Sequence, residues 1–125
     1  MIKMRTLRMF LTALLFATGL ATSGLADEPK SQTVEVNQVK IHYLISGKGE
    51  PIVLLHGYAE SSRMWLPLMK ELEKSHTVIA PDLRGAGGSS TPADGYTKAV
   101  MAQDIHALVA NLATRRWRLW GMTSA

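Results

Sequence analysis

Beyond residue 26, apolar positions fall in short bursts whose period changes along the chain. Residues 33–36 and 39–46 are rich in β-branched side chains, and Ile41, Tyr43 and Ile45 alternate with polar neighbours. Asn37-Gln38 stands between the two runs, a pair suited to the tight turn of a hairpin. Residues 47–51 are loop material, and residues 52–55 are continuously apolar, the pattern of a strand covered on both faces. Ser61 or Ser62 is placed to cap a helix reaching about Lys74, with Met64, Leu68 and Leu72 at a spacing of four. Pro67 falls in its first turns, where proline does least damage. Residues 77–80 predict a second buried strand ended by Pro81, and residues 82–95 a tightly turned loop rich in glycine. From about Thr97 a second helix places Met101, Ile105, Leu108, Val109 and Leu112 on one face. Strand, helix, strand, helix in this order predicts an α/β fold with a mostly parallel sheet and right-handed crossovers.

The first 26 residues have a different pattern. Lys3, Arg5 and Arg8 precede an apolar run from Met9 to Leu20, and Gly24-Leu25-Ala26 offers small residues for cleavage. The run is shorter than the ~20 residues of a spanning helix, so it predicts a secretory signal peptide cut near Ala26. An uncleaved anchor is its rival. On this reading the mature chain is secreted or periplasmic and keeps no stable membrane span. Removing the segment also leaves 11 basic and 10 acidic residues, so the overall pI near 9.6 is no argument for a nucleic-acid partner. The chain has no cysteine, which excludes disulfides, thiol chemistry and cysteine-held zinc.

Two stretches carry candidate chemistry. In the first, the apolar run 51–55 delivers His56-Gly57-Tyr58 into a loop just before a helix. That layout aims backbone N–H groups beyond the strand's carboxyl end, where a developing oxyanion could sit. Glycine lets the backbone pass close to a ligand. The second stretch is Pro81-Asp82-Leu83-Arg84-Gly85-Ala86-Gly87-Gly88-Ser89. Asp82 is suited to accept backbone N–H bonds in a turn, and Arg84 to brace the loop with its planar fork of donors. A phosphate cradle at Gly85, Gly87 and Gly88 is disfavoured, because no Lys-Ser or Lys-Thr pair follows. His42, His76 and His106 are scattered without metal-ligand spacing, so no metal and no cofactor is expected. Trp65 and Tyr96 are expected to pack rather than to meet substrate.

Together these two stretches resemble the N-terminal half of an α/β-hydrolase. Ser62-Arg63-Met64-Trp65 and Ala93-Asp94-Gly95-Tyr96 look most like the epoxide hydrolase and dehalogenase branch. The resemblance covers about residues 33–112. It implies the three-layer α/β-hydrolase fold, of which this chain holds the N-terminal portion only. It further implies that the backbone N–H of Tyr58 is an oxyanion donor, that His56 and Gly57 shape the oxyanion loop, and that Asp82, Arg84, Gly85, Gly87 and Ser89 form a structural loop. The parent activity would be hydrolysis of a small molecule bearing an epoxide or carbon–halogen bond, through an aspartyl ester. A serine esterase on the same fold is the nearest alternative, and a noncatalytic fragment the alternative of another class. The epoxide hydrolase pattern usually carries proline two residues after the glycine, where this chain has Ala59.

No nucleophile, acid or catalytic histidine is assignable. Ser124 lacks Gly-x-Ser-x-Gly spacing, and Arg115-Arg116-Trp117-Arg118-Leu119-Trp120 reads badly as the buried central strand that should precede a nucleophile elbow. Trp120 and Met122 have single codons. Triplets begun at the last base of the Trp120 codon give glycine, then His, Asp, Asn or Tyr, then aspartate, and permit Ile and Gly. A frame reading Gly-His-Asp-Ile-Gly, which resembles that elbow, is therefore available. This predicts that residues 113–125 are a frame-shifted tail and that the chain itself is inactive; a fragment, or a genuine short protein with an unusual terminus, is the rival reading.

Overall fold

A computed structural model describes residues 27–121, with side chains described through residue 113. The predicted signal peptide and residues 122–125 lie outside the described residues. The elements are β1 (Lys30–Val36), β2 (Val39–Ser46), β3 (Glu50–Val53), a 3-10 turn (Ser62–Trp65), α1 (Leu66–Leu72), β4 (His76–Pro81) and α2 (Lys98–Gly121). The sheet is mixed, in the order β1-β2-β4-β3. β3 and β4 are parallel, joined through α1 as the strand-helix-strand pattern requires. The hairpin β1–β2 attaches antiparallel to β4, so the mostly parallel character expected is confined here to the β3–β4 pair.

The hairpin turns on Asn37 and Gln38, both left-handed at φ 48 and 63, the geometry whose twist matches the flanking strands. Alternation then sends Val34, Val36, Val39, Ile41 and Tyr43 to one face, where they join Ile79 of β4 and Leu108 of α2. On the other face Leu44, Val78 and Ala80 meet Met69 of α1. Helices thus cover the sheet from both sides, giving three layers. β4 alternates between the two cores, which explains why its residues 78–81 are apolar without a break after the polar His76 and Thr77.

α2 begins as predicted. Thr97 accepts the Val100 N–H on its hydroxyl at 3.3 Å, and the backbone stays helical through Gly121, including Arg115–Trp120. Within its apolar stripe Leu108 is buried, and so is Asp104, which the periodicity passed over. No helix among the described residues is long and apolar enough to cross a membrane.

The first helix departs from expectation in two ways. Its buried side is Met69, with Trp65, Leu66 and Leu72 packed beside it, whereas Met64 and Leu68 are 43% and 41% exposed. The segment opens as a 3-10 turn, in which residues three apart eclipse, so a spacing of four counted from Met64 drifts off the sheet. Nor does Ser61 cap it. Ser61 is extended and its side chain makes no cap bond; the Ser62 N–H is instead satisfied by the distant Asp82 carboxylate at 2.6 Å. Residues 52–55 are also less covered than a continuous run suggests. β3 ends at Val53 and has no partner on its outer edge among the described residues, so Leu55 is half-exposed.

Candidate functional site

Because β3 and β4 are parallel, the loops leaving their carboxyl ends emerge on the same side. Leu54 N–H extends the pairing with a 2.9 Å bond to Ile79 O, and His56-Gly57-Tyr58 follows at once. His56 is buried, at 7% exposure. Its Nε2 accepts the Leu83 N–H at 2.9 Å, and its Nδ1 lies 2.8 Å from Gly57 O. An amide only donates and a carbonyl only accepts, so the ring carries its single proton on Nδ1. Both nitrogens are occupied. The imidazole is a strut between the two loops, with no lone pair left for proton transfer.

Gly57 N–H donates to Glu60 Oε2 at 3.0 Å, closing the loop locally. Tyr58 is fully exposed at 100%, and no hydrogen bond from the described residues engages its backbone N–H. Ala59 is left-handed at φ 59. Proline, fixed near −65°, has no access to that conformation, so the alanine and the local geometry agree.

The loop after β4 is built around Asp82, 2% exposed. Its Oδ1 accepts Ser62 N–H at 2.6 Å; its Oδ2 accepts Gly88 N–H at 2.8 Å and His42 Nδ1 at 2.7 Å. Burial acts to raise its pKa, but the Ser62 and Gly88 amides and His42 outweigh it and hold the carboxyl below its usual 3.8. Ser89 Oγ donates to Asp82 O at 2.6 Å and accepts His42 N–H at 2.9 Å, fastening the loop to β2. Gly87 is left-handed at φ 50, and a Cβ there would run into the Asp82 carboxylate. Gly85 lies under the ring of Tyr96, whose hydroxyl donates to Pro92 O at 2.6 Å.

Arg84 forms a buried ion pair with α2. Its Nε and Nη2 donate to Asp104 Oδ2 and Oδ1 at 2.7 and 2.9 Å, and Asn37 Nδ2 adds 3.1 Å to Oδ1. That hydrogen bonding to Asp104 raises the Arg84 pKa against the opposing effect of burial. His42, Ser62, Glu60 and Asp104 are the partners sequence reasoning missed. Only Asp104 left a signal: a lone carboxylate inside an apolar helical stripe requires a cation, and Arg84 was available. Among the described residues no cluster of three His, Asp or Glu side chains could hold a metal ion.

Comparison with known proteins matches this arrangement to one family. A family model described as the alpha/beta hydrolase fold matches residues 50–122, more than half of the chain. A soluble epoxide hydrolase of Corynebacterium sp. (strain C12) is 44% identical over 77 residues, 62% of this chain and 27% of that protein. A fluoroacetate dehalogenase of Burkholderia sp. is 36% identical over 93 residues, covering 70% and 31%. The crystal structure of an epoxide hydrolase from Vigna radiata superposes with a TM-score of 0.68 at 34% identity, over 72% of this chain and 29% of that one. The chain thus spans about three-tenths of the length of these relatives. The β3–β4 crossover, the His56–Tyr58 loop and the Asp82 loop all lie within the matched residues, and the chain belongs to the α/β-hydrolase fold family.

Proposed function

We propose that this chain supplies the oxyanion side of a pocket that hydrolyses small molecules bearing an epoxide or a carbon–halogen bond. One observation carries the reading: an unbonded Tyr58 N–H just past parallel strand β3, on a loop held by the two-sided bonding of His56. In the scheme the resemblance implies, an aspartate attacks carbon and displaces alkoxide or halide, leaving an alkyl ester. Water activated by a histidine then adds to the ester carbonyl. Negative charge gathers on the carbonyl oxygen, and a fixed N–H about 3 Å away stabilises it. Residues 27–121 offer no assignable aspartate, acid or histidine for those steps, so the 125-residue chain by itself turns over neither substrate class.

Two measurements test this. Incubated with an epoxide and a haloacid, the purified 125-residue chain is expected to release no diol and no halide; release of either overturns the inactivity. Residues 27–112 fused to the remainder of the related epoxide hydrolase test the amide directly. There Tyr58→Pro, which deletes the N–H, should lower kcat by about 10²–10³, while Tyr58→Ala leaves it nearly unchanged. Equal effects of the two would remove the amide from the mechanism.

The proposal extends to both ends of the chain. Residues 1–26 direct export and are cut near Ala26, so the exported protein should begin near Asp27 on N-terminal sequencing. Residues 113–125 arise from a shift of reading frame near residues 112–117, which sequencing of the gene decides by the presence or absence of the Gly-His-Asp-Ile-Gly codons.

A further inference from the structure

Outside the oxyanion loop, three side chains form one hydrogen-bonded line. Ser31 Oγ lies 2.7 Å from His42 Nε2, and His42 Nδ1 lies 2.7 Å from Asp82 Oδ2. An ionised carboxylate has no proton to give, so Nδ1–H is the donor to Asp82 and the Nε2 lone pair faces the serine hydroxyl. Asp82 is held ionised by the Ser62 and Gly88 amides, which fixes the tautomer and plane of the imidazole. Exposure rises along the line: Asp82 is 2% exposed, the His42 side chain 19%, and Ser31 is open to solvent. A nucleophile with its base needs that gradient, with the charge buried and the attacking oxygen accessible.

The hairpin sets the spacing. Thr33 is the direct partner of His42 across β1 and β2, so Ser31, two residues along the same face, is its diagonal neighbour. β1 is the edge strand, and among the described residues no other strand lies beyond it. His42 has a structural reason to bind Asp82, since it ties the loop to β2. That reason does not require a serine hydroxyl at 2.7 Å on its exposed nitrogen.

We propose that Ser31 is a nucleophile activated by His42 and oriented through Asp82, able to accept acyl or phosphonyl groups from small activated esters. Ser31 Oγ bonds to the carbonyl carbon while its proton passes to His42 Nε2. The aryloxide leaves and takes up that proton as the phenol. Water, giving a proton to the same nitrogen, then splits the acyl-serine to the carboxylic acid and free Ser31. With a phosphonofluoridate the leaving group is fluoride and the first step alone occurs. Oxyanion donors add a further factor of about 10²–10³ in acyl transfer, so the relay by itself suits substrates with good leaving groups. This inference does not rest on the Tyr58 reading, because it concerns aryl esters and phosphonofluoridates and not epoxides or haloacids.

The test treats the full 125-residue chain with a fluorophosphonate and maps the adduct by mass spectrometry. The tryptic peptide from Ser31 to Lys40 isolates the site. A single adduct at Ser31 is expected, absent in Ser31→Ala and formed at least ~100-fold more slowly in His42→Gln, the scale of general-base assistance. 4-Nitrophenyl acetate should acylate the same residue. Should His42→Gln lose its circular dichroism spectrum, the native chain is compared with the urea-unfolded chain, with the same ~100-fold ratio expected. An unlabelled Ser31 in the folded protein, or a labelling rate indifferent to His42 and to unfolding, overturns the proposal and leaves an ordinary surface serine.

Discussion

The loops at the carboxyl ends of β3 and β4 are built by opposite means. The β4 loop is fixed from within: both Asp82 oxygens are filled, Ser89 bridges to β2, and Arg84 is clamped to α2 through Asp104. The β3 loop has two local bonds, Gly57 N–H to Glu60 and His56 Nδ1–H to Gly57 O, and is tied to the β4 loop by the His56 strut to Leu83 and by the Ser62 N–H on Asp82. The difference assigns the work. A densely bonded loop positions a lightly bonded one whose Tyr58 N–H is unspent. Energy should therefore flow one way: damage to the β4 loop disorders both, and damage to the β3 loop stays local.

The ion pair gives the largest effect. Arg84 is 8% exposed and Asp104 1%, so Asp104→Ala strands a guanidinium in the core, at a cost of about 3–5 kcal/mol. Global stability of a domain this small is of the same order, so urea unfolding should show a midpoint near zero. Replacing both partners, Arg84→Met with Asp104→Leu, should recover most of the loss. If the single and double variants unfold alike, the clamp is not what fixes the loop.

Asp82 comes next. Asp82→Asn turns an acceptor into a donor facing Ser62, Gly88 or His42, for about 2–3 kcal/mol. The wild type should reproduce part of this in acid. Since the folded pKa lies below 3.8, the carboxylate's contribution is complete above that value and is lost as pH falls from there through the lowered folded pKa. Unfolding followed from pH 6 downward should show this loss in wild type and not in Asp82→Asn. His56→Phe removes the strut and leaves the part-buried Leu83 N–H without its partner, costing about 1–2 kcal/mol. Amide exchange should quicken at Leu83 and residues 56–60 while Gly88 and the Ser62 amide stay protected. A uniform rise would mean the two loops are one cooperative unit.

How much of this could be read from the chain follows from the range of each interaction. The hairpin, the buried β4 and the start of α2 were legible, since alternation, continuous apolarity and the Thr97 cap are local patterns. The α1 face was misread because a 3-10 turn resets the phase, and nothing in Ser62-Arg63-Met64-Trp65 announces that tightening. The two motif stretches were visible, but their wiring was not. His42 to Asp82 spans 40 residues, Asn37 to Asp104 spans 67, and such pairs exist only after the sheet has formed. His42 looked like a stray histidine because its partner lies two strands' worth of chain away.

Ala59 offers the smallest and finest test of the contrast. An alanine held at φ 59 carries roughly 1–2 kcal/mol of left-handed strain, which glycine escapes. Against that, glycine loses about 0.4–1 kcal/mol more chain entropy on folding. Ala59→Gly should therefore be neutral to stabilising by up to about 1 kcal/mol, and Ala59→Pro should break the turn that follows Tyr58. Gly87→Ala, the matched change in the fixed loop, has no such slack, because its Cβ meets the Asp82 carboxylate held by three partners. Measured side by side in urea, position 59 should tolerate Ala59→Gly and position 87 should not tolerate Gly87→Ala. If Gly87→Ala costs no more than the small difference between alanine and glycine at 59, the loop around Asp82 gives way as readily as its neighbour, and rigidity is not what separates the two.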